Sequence, residues 1–227
     1  MSRTLIQNEW FADLPDEVVA QLAAQARRRE LAAGQMLYAR GDQPEGLYGV
    51  VSGRIELRAV SPGGREIIVA VHEAGNWFGE VTLFDGKQRV HDAIADTDVE
   101  LLVIPHDEFH RWLQAHPDLY PHFIRMLCRK LRIALAYAED LIFLPLSARL
   151  AKRLLALLQA HGQPDGDGQR IDRHLPQDVL ARMLSAGRQA VSKELKAFEA
   201  QGWIRVAYGR ITVLDAEALA VAARVEE

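Results

Sequence analysis

The chain has 227 residues, 49% hydrophobic and 26% charged, which is typical of a folded protein long enough for two small domains with separate cores. No apolar run approaches the roughly 20 residues that span a bilayer, and the N-terminal residues lack the apolar segment of a signal peptide. The single cysteine, Cys128, cannot form an internal disulfide or hold an iron–sulfur cluster by itself. These features predict a cytoplasmic protein with no membrane partner, in which Cys128 is a buried structural thiol.

Charge is unevenly distributed along the chain. The net charge is −4, with 27 Lys and Arg against 31 Asp and Glu. From Pro145 onward there are 12 basic and 10 acidic residues, a net charge of +2, so the preceding part has a net charge of −6. A solvated surface explains this asymmetry nearly as well as an anionic partner does.

The first predicted element is a short helix from Leu14 to Arg28, with Asp13 as its N-cap and Pro15 at its first position. Beyond it the hydrophobic period changes. Several short alternating segments with Gly and Pro punctuation, from about Gly34 to Pro105, predict a small all-β roll or barrel. The stretch SPGG between two of these segments predicts a hairpin.

After Pro105 the period becomes helical, and the sequence predicts a short helix that stops before Pro117 and a long helix over about 119–143. Apolar residues on the long helix recur at alternating steps of four and three. This heptad seam indicates either a dimer interface or packing against the chain's own domain. The seam consists of Tyr120, Ile124, Leu127, Leu131, Ala134, Ala138 and Leu141.

The region after Pro145 begins with an amphipathic helix, LSARLAKRLLALLQAH. The segment GQPDGDGQR then has the composition of a loop. A helix follows near Pro176 to Leu184, and the chain closes with two short strands around Tyr208 and Gly209, which predict a small hairpin.

Between that helix and the hairpin, the segment from Arg188 to Glu199 has one apolar and one polar face. Val191, Leu195 and Phe198 are spaced i, i+4 and i+7, which predicts a buried face. The polar face carries Arg188, Gln189, Ser192, Lys193 and Lys196. Such side chains can contact base edges and phosphates in the major groove, although a solvated helix face is the alternative. The tight turn Ser185-Ala186-Gly187, the preceding helix and the trailing hairpin together predict a winged helix-turn-helix.

Nearly the whole chain resembles the CRP/FNR family, the bacterial transcription regulators that include the cyclic-AMP receptor protein and the fumarate–nitrate respiration regulator. GLYGVVSGRIEL and FGEVTLFDGKQR resemble that family's β-roll and phosphate-binding cassette, and LPQDVLARMLSAGRQAVSKELKAFEAQGWI resembles its DNA reader. The resemblance implies an α+β chain with a cyclic-nucleotide-binding-type β-roll (a double-stranded β-helix or jelly roll) at 1–116. It further implies a dimerisation helix at 117–144 and a winged helix-turn-helix domain at 145–227.

By resemblance, the protein is a homodimer that binds a pseudo-palindromic DNA operator and RNA polymerase. The seam residues from Ile124 to Leu141 then form the dimer interface. The same resemblance implies that Arg188, Gln189, Ser192 and Lys193 read bases. It also implies that the wing tip, Tyr208, Gly209 and Arg210, contacts phosphates. The family's usual N-cap serine is Gly187 here. Gln189 stands where the receptor protein has an acidic residue, which puts the preferred half-site in doubt.

The cassette keeps Gly79, Glu80 and Arg89, which in cyclic-AMP binders hold the ribose hydroxyl and the cyclic phosphate. Val90 stands at the position of a phosphate-binding hydroxyl, and Ala134 and Leu135 at the adenine-contacting hydroxyl positions. Leu131 is assigned both to this effector set and to the seam. Losing a hydrogen bond to a charged oxygen costs about 1.5–3 kcal/mol, so high-affinity binding of cyclic AMP is disfavoured. A cyclic dinucleotide, another small molecule or no ligand stay open, and so does a mutual salt bridge between Glu80 and Arg89.

Other chemistries are not supported by the residues. His106 and His110 share a helix face at i, i+4, but no third metal ligand is visible. Haem is disfavoured because nothing singles out one histidine as its ligand. The chain has no Walker-type loop and no G-x-S-x-G, so it is not predicted to be an enzyme. The alternative to a DNA-binding regulator is a cyclic-nucleotide-binding regulatory module that does not bind DNA.

Overall fold

The structure, a computed structural model, describes Phe11 and residues 14–224 and divides the chain into two units, Met1–Leu131 and Arg132–Glu227. The first unit contains α1 (Asp16–Ala23), β1 (Arg27–Leu31), β2 (Met36–Tyr38), β3 (Gly46–Ser52), β4 (Arg54–Val60), β5 (Glu66–Glu73), β6 (Trp77–Phe78), α2 (Glu80–Asp85), β7 (Asp92–Ala95), β8 (Val99–Pro105) and α3 (His106–Ala115). A 3-10 turn at Pro117–Leu119 leads into the long helix α4 (Tyr120–Phe143). The second unit adds α5 (Leu146–His161), β9 (Gly162–Asp165), β10 (Gly168–Ile171), α6 (Gln177–Met183), α7 (Arg188–Ala200), β11 (Ile204–Ala207), β12 (Arg210–Val213) and α8 (Ala216–Ala222).

Two antiparallel four-stranded sheets form the predicted β-roll, in the orders β1-β8-β3-β6 and β2-β7-β4-β5. Alternate apolar side chains from both sheets, such as Ile55, Phe78 and Leu101, pack together in one core. The chain passes from β3 to β4 at Gly53, which has φ +79° and lies so close to the Asp98 carbonyl that a Cβ has no room. Glycine is therefore required where the chain passes from one sheet to the other.

The N-terminal helix is shorter than the sequence predicted. It ends at Ala23, and Pro15 is its N-cap instead of its first helical residue. Arg27 begins strand β1, which pairs with β8, so the prediction of helix as far as Arg28 is wrong. Sheet pairing with β8 outweighs the helical propensity of the arginines. The proposed cap Asp13 lies outside the described residues.

The second unit has its own hydrophobic core, in which Leu154 of α5, Leu180 of α6 and Leu195 of α7 are fully or almost fully buried. Its sheet has the order β11-β12-β10-β9. The predicted loop GQPDGDGQR is instead the hairpin β9–β10 with a two-residue turn at Gly166-Asp167, so that prediction is wrong. β10 also pairs with β12, and this contact between distant parts of the sequence is not evident from the composition of the segment.

Helix α4 has one buried face only in its first half, where His122, Phe123 and Met126 are covered. From Leu131 to Glu139 every residue is exposed. Cys128 is exposed as well, so the prediction of a buried thiol is wrong, because this position faces away from the core of the first unit. Within the described residues, none of the helices is long and apolar enough to cross a membrane.

Candidate nucleic-acid interface and effector pocket

The predicted reader consists of α6, a four-residue connection and α7. The connection turns sharply because Ser185 has φ +51°, and the Ala186 amide donates to the Ala181 carbonyl at 2.9 Å. Val191, Leu195 and Phe198 are buried, as the period predicted, and fix which face of α7 points outward. Two helices, a tight turn and a hairpin are therefore present in the order that the sequence predicted.

The outward face of α7 is basic and unpaired. Arg188, Gln189, Lys193 and Lys196 are exposed, and Ser192 is half-buried. In the part of the chain that the structure describes, Arg188, Lys193 and Lys196 form no ion pair with an acidic residue. Gly187 is the N-cap and provides no side-chain acceptor, and the first turn of α7 has no acidic residue. The partial positive charge of this helix end is thus available to an anion.

The wing is the hairpin β11–β12, and its tip is the two-residue turn Tyr208-Gly209. Both residues have positive φ, +50° and +73°, as a type I′ turn requires. Tyr208 is 99% exposed and Arg210 is exposed. The Gly209 carbonyl accepts a hydrogen bond from the Leu175 amide at 2.6 Å, and the His174 ring leaves no room for a Cβ at Gly209. The wing tip is therefore held against the segment that precedes α6.

Two of the cassette residues, Gly79 and Glu80, lie at the start of α2. Gly79 is the N-cap of this helix with φ +101°, a conformation that favours glycine, and a Cβ there would lie 3.1 Å from Arg89 Nη1. Glu80 is the first helical residue, and its Oε1 accepts from Lys130 Nζ of α4 at 2.9 Å. The mutual salt bridge between Glu80 and Arg89, considered as an alternative, is wrong, since Glu80 pairs with Lys130.

Arg89 is buried, with 3% of its surface exposed, and its partners are neutral. Nη1 donates to Thr82 Oγ1 at 2.6 Å and to the Gly79 carbonyl at 3.2 Å, while Nη2 donates to the Gly46 carbonyl at 2.9 Å. Its Nε has no hydrogen-bond partner among the described residues. Arg89 therefore keeps an uncompensated positive charge, which an anion can satisfy.

Aromatic side chains surround that charge. The guanidinium carbon of Arg89 lies 4.4 Å from the ring centre of Tyr38 and 5.3 Å from that of Tyr48. Burial raises the pKa of Tyr38 to about 12. His72 stacks on Phe78 with ring centres 4.6 Å apart, and burial, followed by the nearby Lys130, lowers the pKa of His72 to about 3. Sequence reasoning missed Thr82, Lys130 and these aromatic residues, because their proximity to Arg89 depends on the folding of the roll.

Val90 is 51% exposed and lines an open cleft of about 620 Å³ together with Arg40, Lys87 and Arg89, although only 3% of the Arg89 surface is exposed. Leu131, Ala134 and Leu135 are exposed on α4, and the last two belong to the second unit. The structure therefore brings Gly79, Glu80 and Arg89 together, whereas the grouping of the α4 residues with them stays a prediction. No group of three metal-ligating side chains occurs among the described residues.

The heptad seam of α4 is mostly uncovered. Ile124 and Leu131 are 57% and 58% exposed, Ala134, Ala138 and Leu141 are exposed too, and Leu127 is half-buried against the first core. Tyr120, at the start of the seam, is 41% exposed. An apolar stripe of this length in contact with water is a feature that a partner helix can cover.

Comparison with known proteins covers both units. Residues 28–116 match the family model of the cyclic nucleotide-binding domain, and residues 148–222 match that of the Crp-like helix-turn-helix domain. The CRP-like cAMP-activated global transcriptional regulator of Mycobacterium tuberculosis is 30% identical over 224 residues, which are 99% of this chain and 100% of that protein.

Solved structures agree on the architecture. A CRP/FNR-family transcriptional regulator from Thermus thermophilus is 28% identical with a TM-score of 0.71, covering 87% of this chain and 98% of its own. The c-di-GMP-responsive global regulator CLP of Xanthomonas campestris, at 21% identity, has a TM-score of 0.76 over 88% of this chain and 99% of its own, which shows a shared fold. The two family matches, the full-length relative and the shared fold lead to one conclusion: this chain belongs to the CRP/FNR family and is a DNA-binding transcription regulator, not an enzyme.

Proposed function

We propose that this regulator acts as a cytoplasmic homodimer that reads a pseudo-palindromic operator and responds to a small molecule in its β-roll. The observation that carries the proposal is the exposed, unpaired basic face of α7 on a buried apolar support. In this proposal Arg188, Gln189, Ser192 and Lys193 read bases, and Lys196, Tyr208, Gly209 and Arg210 contact phosphates. Two readers would lie one helical turn of DNA apart, about 34–36 Å.

The dimer is proposed to form through the seam of α4, from Ile124 to Leu141. Supporting it are the uncovered apolar stripe and the heptad period that the stripe follows. The domain boundaries of this proposal are 1–116 for the effector domain, 117–144 for the dimerisation helix and 145–227 for the reader. RNA polymerase is proposed as a further partner because the chain belongs to a family of transcription regulators.

The effector is proposed to be an anion held by Arg89, with Gly79 and Glu80 beside it. A buried guanidinium whose charge is not compensated favours an anionic ligand, such as the phosphate of a nucleotide. Val90 provides no hydroxyl for a cyclic phosphate, and Glu80 is engaged by Lys130. We therefore propose that the effector is a cyclic nucleotide and that cyclic AMP does not bind with high affinity. A cyclic dinucleotide is one candidate.

The base-reading role of Arg188 is tested by the substitution Arg188→Ala. We expect binding to the specific operator to weaken by about 1–3 kcal/mol and base preference to relax at one position. Fluorescence anisotropy on a selected operator and on scrambled DNA measures both effects. The control is Arg111→Ala, which removes an equal charge from α3 in the first unit.

The salt dependence separates the role of Arg188 from DNA binding as a whole. The logarithm of the affinity should fall linearly with the logarithm of the salt concentration, because bound Lys and Arg displace counterions from phosphates. A flat salt dependence would exclude DNA binding by this face. An equal loss for Arg188→Ala on operator and scrambled DNA would instead assign Arg188 to a phosphate.

A further inference from the structure

The second unit contains a cavity of about 160 Å³ that the DNA reader does not use. It lies where the last turns of α4 meet α5 and the carbonyl end of α6. One wall is apolar and aromatic, formed by Tyr137, Met183 and Leu184. The other wall, on α5, carries the basic residues Arg149, Lys152 and Arg153.

Two of the three basic side chains have partners. Lys152 Nζ lies 2.6 Å from Asp140 Oδ1, so this pair is close to neutral. Arg149 Nη1 donates to the Leu184 carbonyl at 3.0 Å, and Tyr137 donates its hydroxyl proton to the Met183 carbonyl at 3.2 Å. These two bonds satisfy carbonyl groups at the end of α6 and hold that helix end at the edge of the cavity.

Arg153 differs from its neighbours. Among the described residues it has no hydrogen bond and no ion pair, and its Nε is buried without an acceptor, as is the Nε of Arg149. Burial, and after it the positive charge of Arg173, lower the pKa of Arg153. Arg153 is half-buried, and burying its Nε without an acceptor and its charge without a counter-charge is costly, so an anion inside the cavity lowers that cost.

The dimensions and lining of the cavity limit what that anion is. A volume near 150 Å³ accommodates a benzene-sized molecule. The planar arginine fork matches a carboxylate, whereas the wall formed by Tyr137, Met183 and Leu184 requires an apolar body. We propose that this cavity binds a small organic monocarboxylate, whose carboxylate pairs with Arg153 and whose aromatic or branched body packs against Tyr137, Met183 and Leu184.

Binding at this cavity has a consequence for the reader. Helix α6 is the first helix of the helix-turn-helix, and its carbonyl end is held by Tyr137 and Arg149 at the cavity edge. A ligand that contacts Met183 and Leu184 therefore contacts the support of the reader helix. Any effect on DNA affinity rests on the proposed function, whereas binding of the carboxylate does not.

The test is isothermal titration calorimetry of the full chain with benzoate, without DNA. We expect saturable binding at millimolar concentrations, with no comparable binding of benzyl alcohol, which has the same ring but no charge. Arg153→Met keeps an unbranched side chain but removes the guanidinium, and it should weaken benzoate binding by about tenfold or more. Arg170→Met is the matched control, since the Nε of Arg170 is also buried without a partner but lies on β10, away from the cavity.

A second variant guards against misfolding of Arg153→Met. Ala156 lines the cavity and is exposed, so Ala156→Leu fills the apolar space without changing the charge, and it should also abolish benzoate binding. Failure of benzoate to bind the wild type would overturn the site. So would binding of benzoate by Arg153→Met and Ala156→Leu with the affinity of the wild type. Inorganic phosphate that binds as tightly as benzoate would overturn the apolar part of the assignment. Because no DNA is present, these outcomes are independent of operator binding.

Discussion

At the scale of single residues, neutral hydrogen-bond partners fix the position of Arg89. Its two terminal nitrogens bond to Thr82 and to two backbone carbonyls, and its face packs over Tyr38. None of these partners carries a negative charge, so the guanidinium is positioned while its charge stays uncompensated. A salt bridge with Glu80 would have neutralised it, but Lys130 holds that carboxylate.

His72 supplies a prediction about pH at the same scale. Because its pKa is lowered to about 3 in the folded state, from about 6.5, the unfolded chain takes up the proton first as pH falls. The contribution of His72 to stability is therefore complete above about pH 6.5 and is lost toward pH 3, at up to about 1.4 kcal/mol per pH unit. Urea unfolding at pH 7 and pH 5 measures this loss.

The matched variant for this effect is His72→Phe, which keeps an aromatic ring on Phe78 and cannot be protonated in this range. We expect its free energy of unfolding to fall less between pH 7 and pH 5 than that of the wild type. An identical fall in both proteins would show that His72 is already solvated in the folded state.

At the scale of elements, the wing turn depends on glycine for two reasons. Gly209 has φ +73°, and a Cβ there would lie 2.4 Å from Cε1 of His174, whereas Gly202 has φ +74° with no atom near its Cβ position. We expect Gly202→Ala to cost about 1–2 kcal/mol from backbone strain alone and Gly209→Ala to cost more. Thermal or urea unfolding of the two variants compares the costs, and equal values would mean that His174 moves away freely.

The seam of α4 yields the second prediction at this scale. Leu131→Asp places a charge in the proposed interface and should convert the dimer to monomers, because an unpaired buried charge is strongly unfavourable. Ile133→Asp is the matched control, since Ile133 is 69% exposed on the same helix but outside the seam. Sedimentation equilibrium gives the masses. If Ile133→Asp dissociates the protein and Leu131→Asp does not, the interface lies on another face of α4.

At the scale of the whole molecule, the prediction concerns cyclic AMP and DNA together. A ligand changes DNA affinity only as far as it prefers the DNA-binding conformation. We expect cyclic AMP to bind weakly and to leave the operator affinity of the wild type nearly unchanged. Val90→Thr restores a hydroxyl and should tighten cyclic-AMP binding by about tenfold or more. Val81→Thr, an equally exposed position on α2, is the control.

Calorimetry and fluorescence anisotropy measure the two affinities separately. A large gain in operator affinity when cyclic AMP is added to the wild type would show that the pocket tolerates Val90, Ala134 and Leu135. Tight operator binding without any ligand would instead indicate an autonomous regulator.

Long periodic elements were predictable from the sequence because their signal is local. The strands β3, β4, β5 and β8, the helices α3 to α7 and the wing hairpin follow from hydrophobic period, glycine turns and prolines. The outward face of α7 followed from the buried positions Val191, Leu195 and Phe198. The hairpin β9–β10 was missed, although Asp165-Gly166 is a turn signal, because a polar edge strand has no apolar alternation to reveal it.

The sequence by itself determined the order of the reader helices and the wing hairpin and the polar face of the DNA reader, because these depend on spacing along one chain, and its motifs carried the resemblance to the family. Only the tertiary structure decided which groups meet across the fold: Thr82 with Arg89, Lys130 with Glu80, and the cavity beside Arg153. Burial and charge pairing are properties of neighbours in space. Sequence distances such as the 50 residues between Glu80 and Lys130 contain no information about them until the chain has folded.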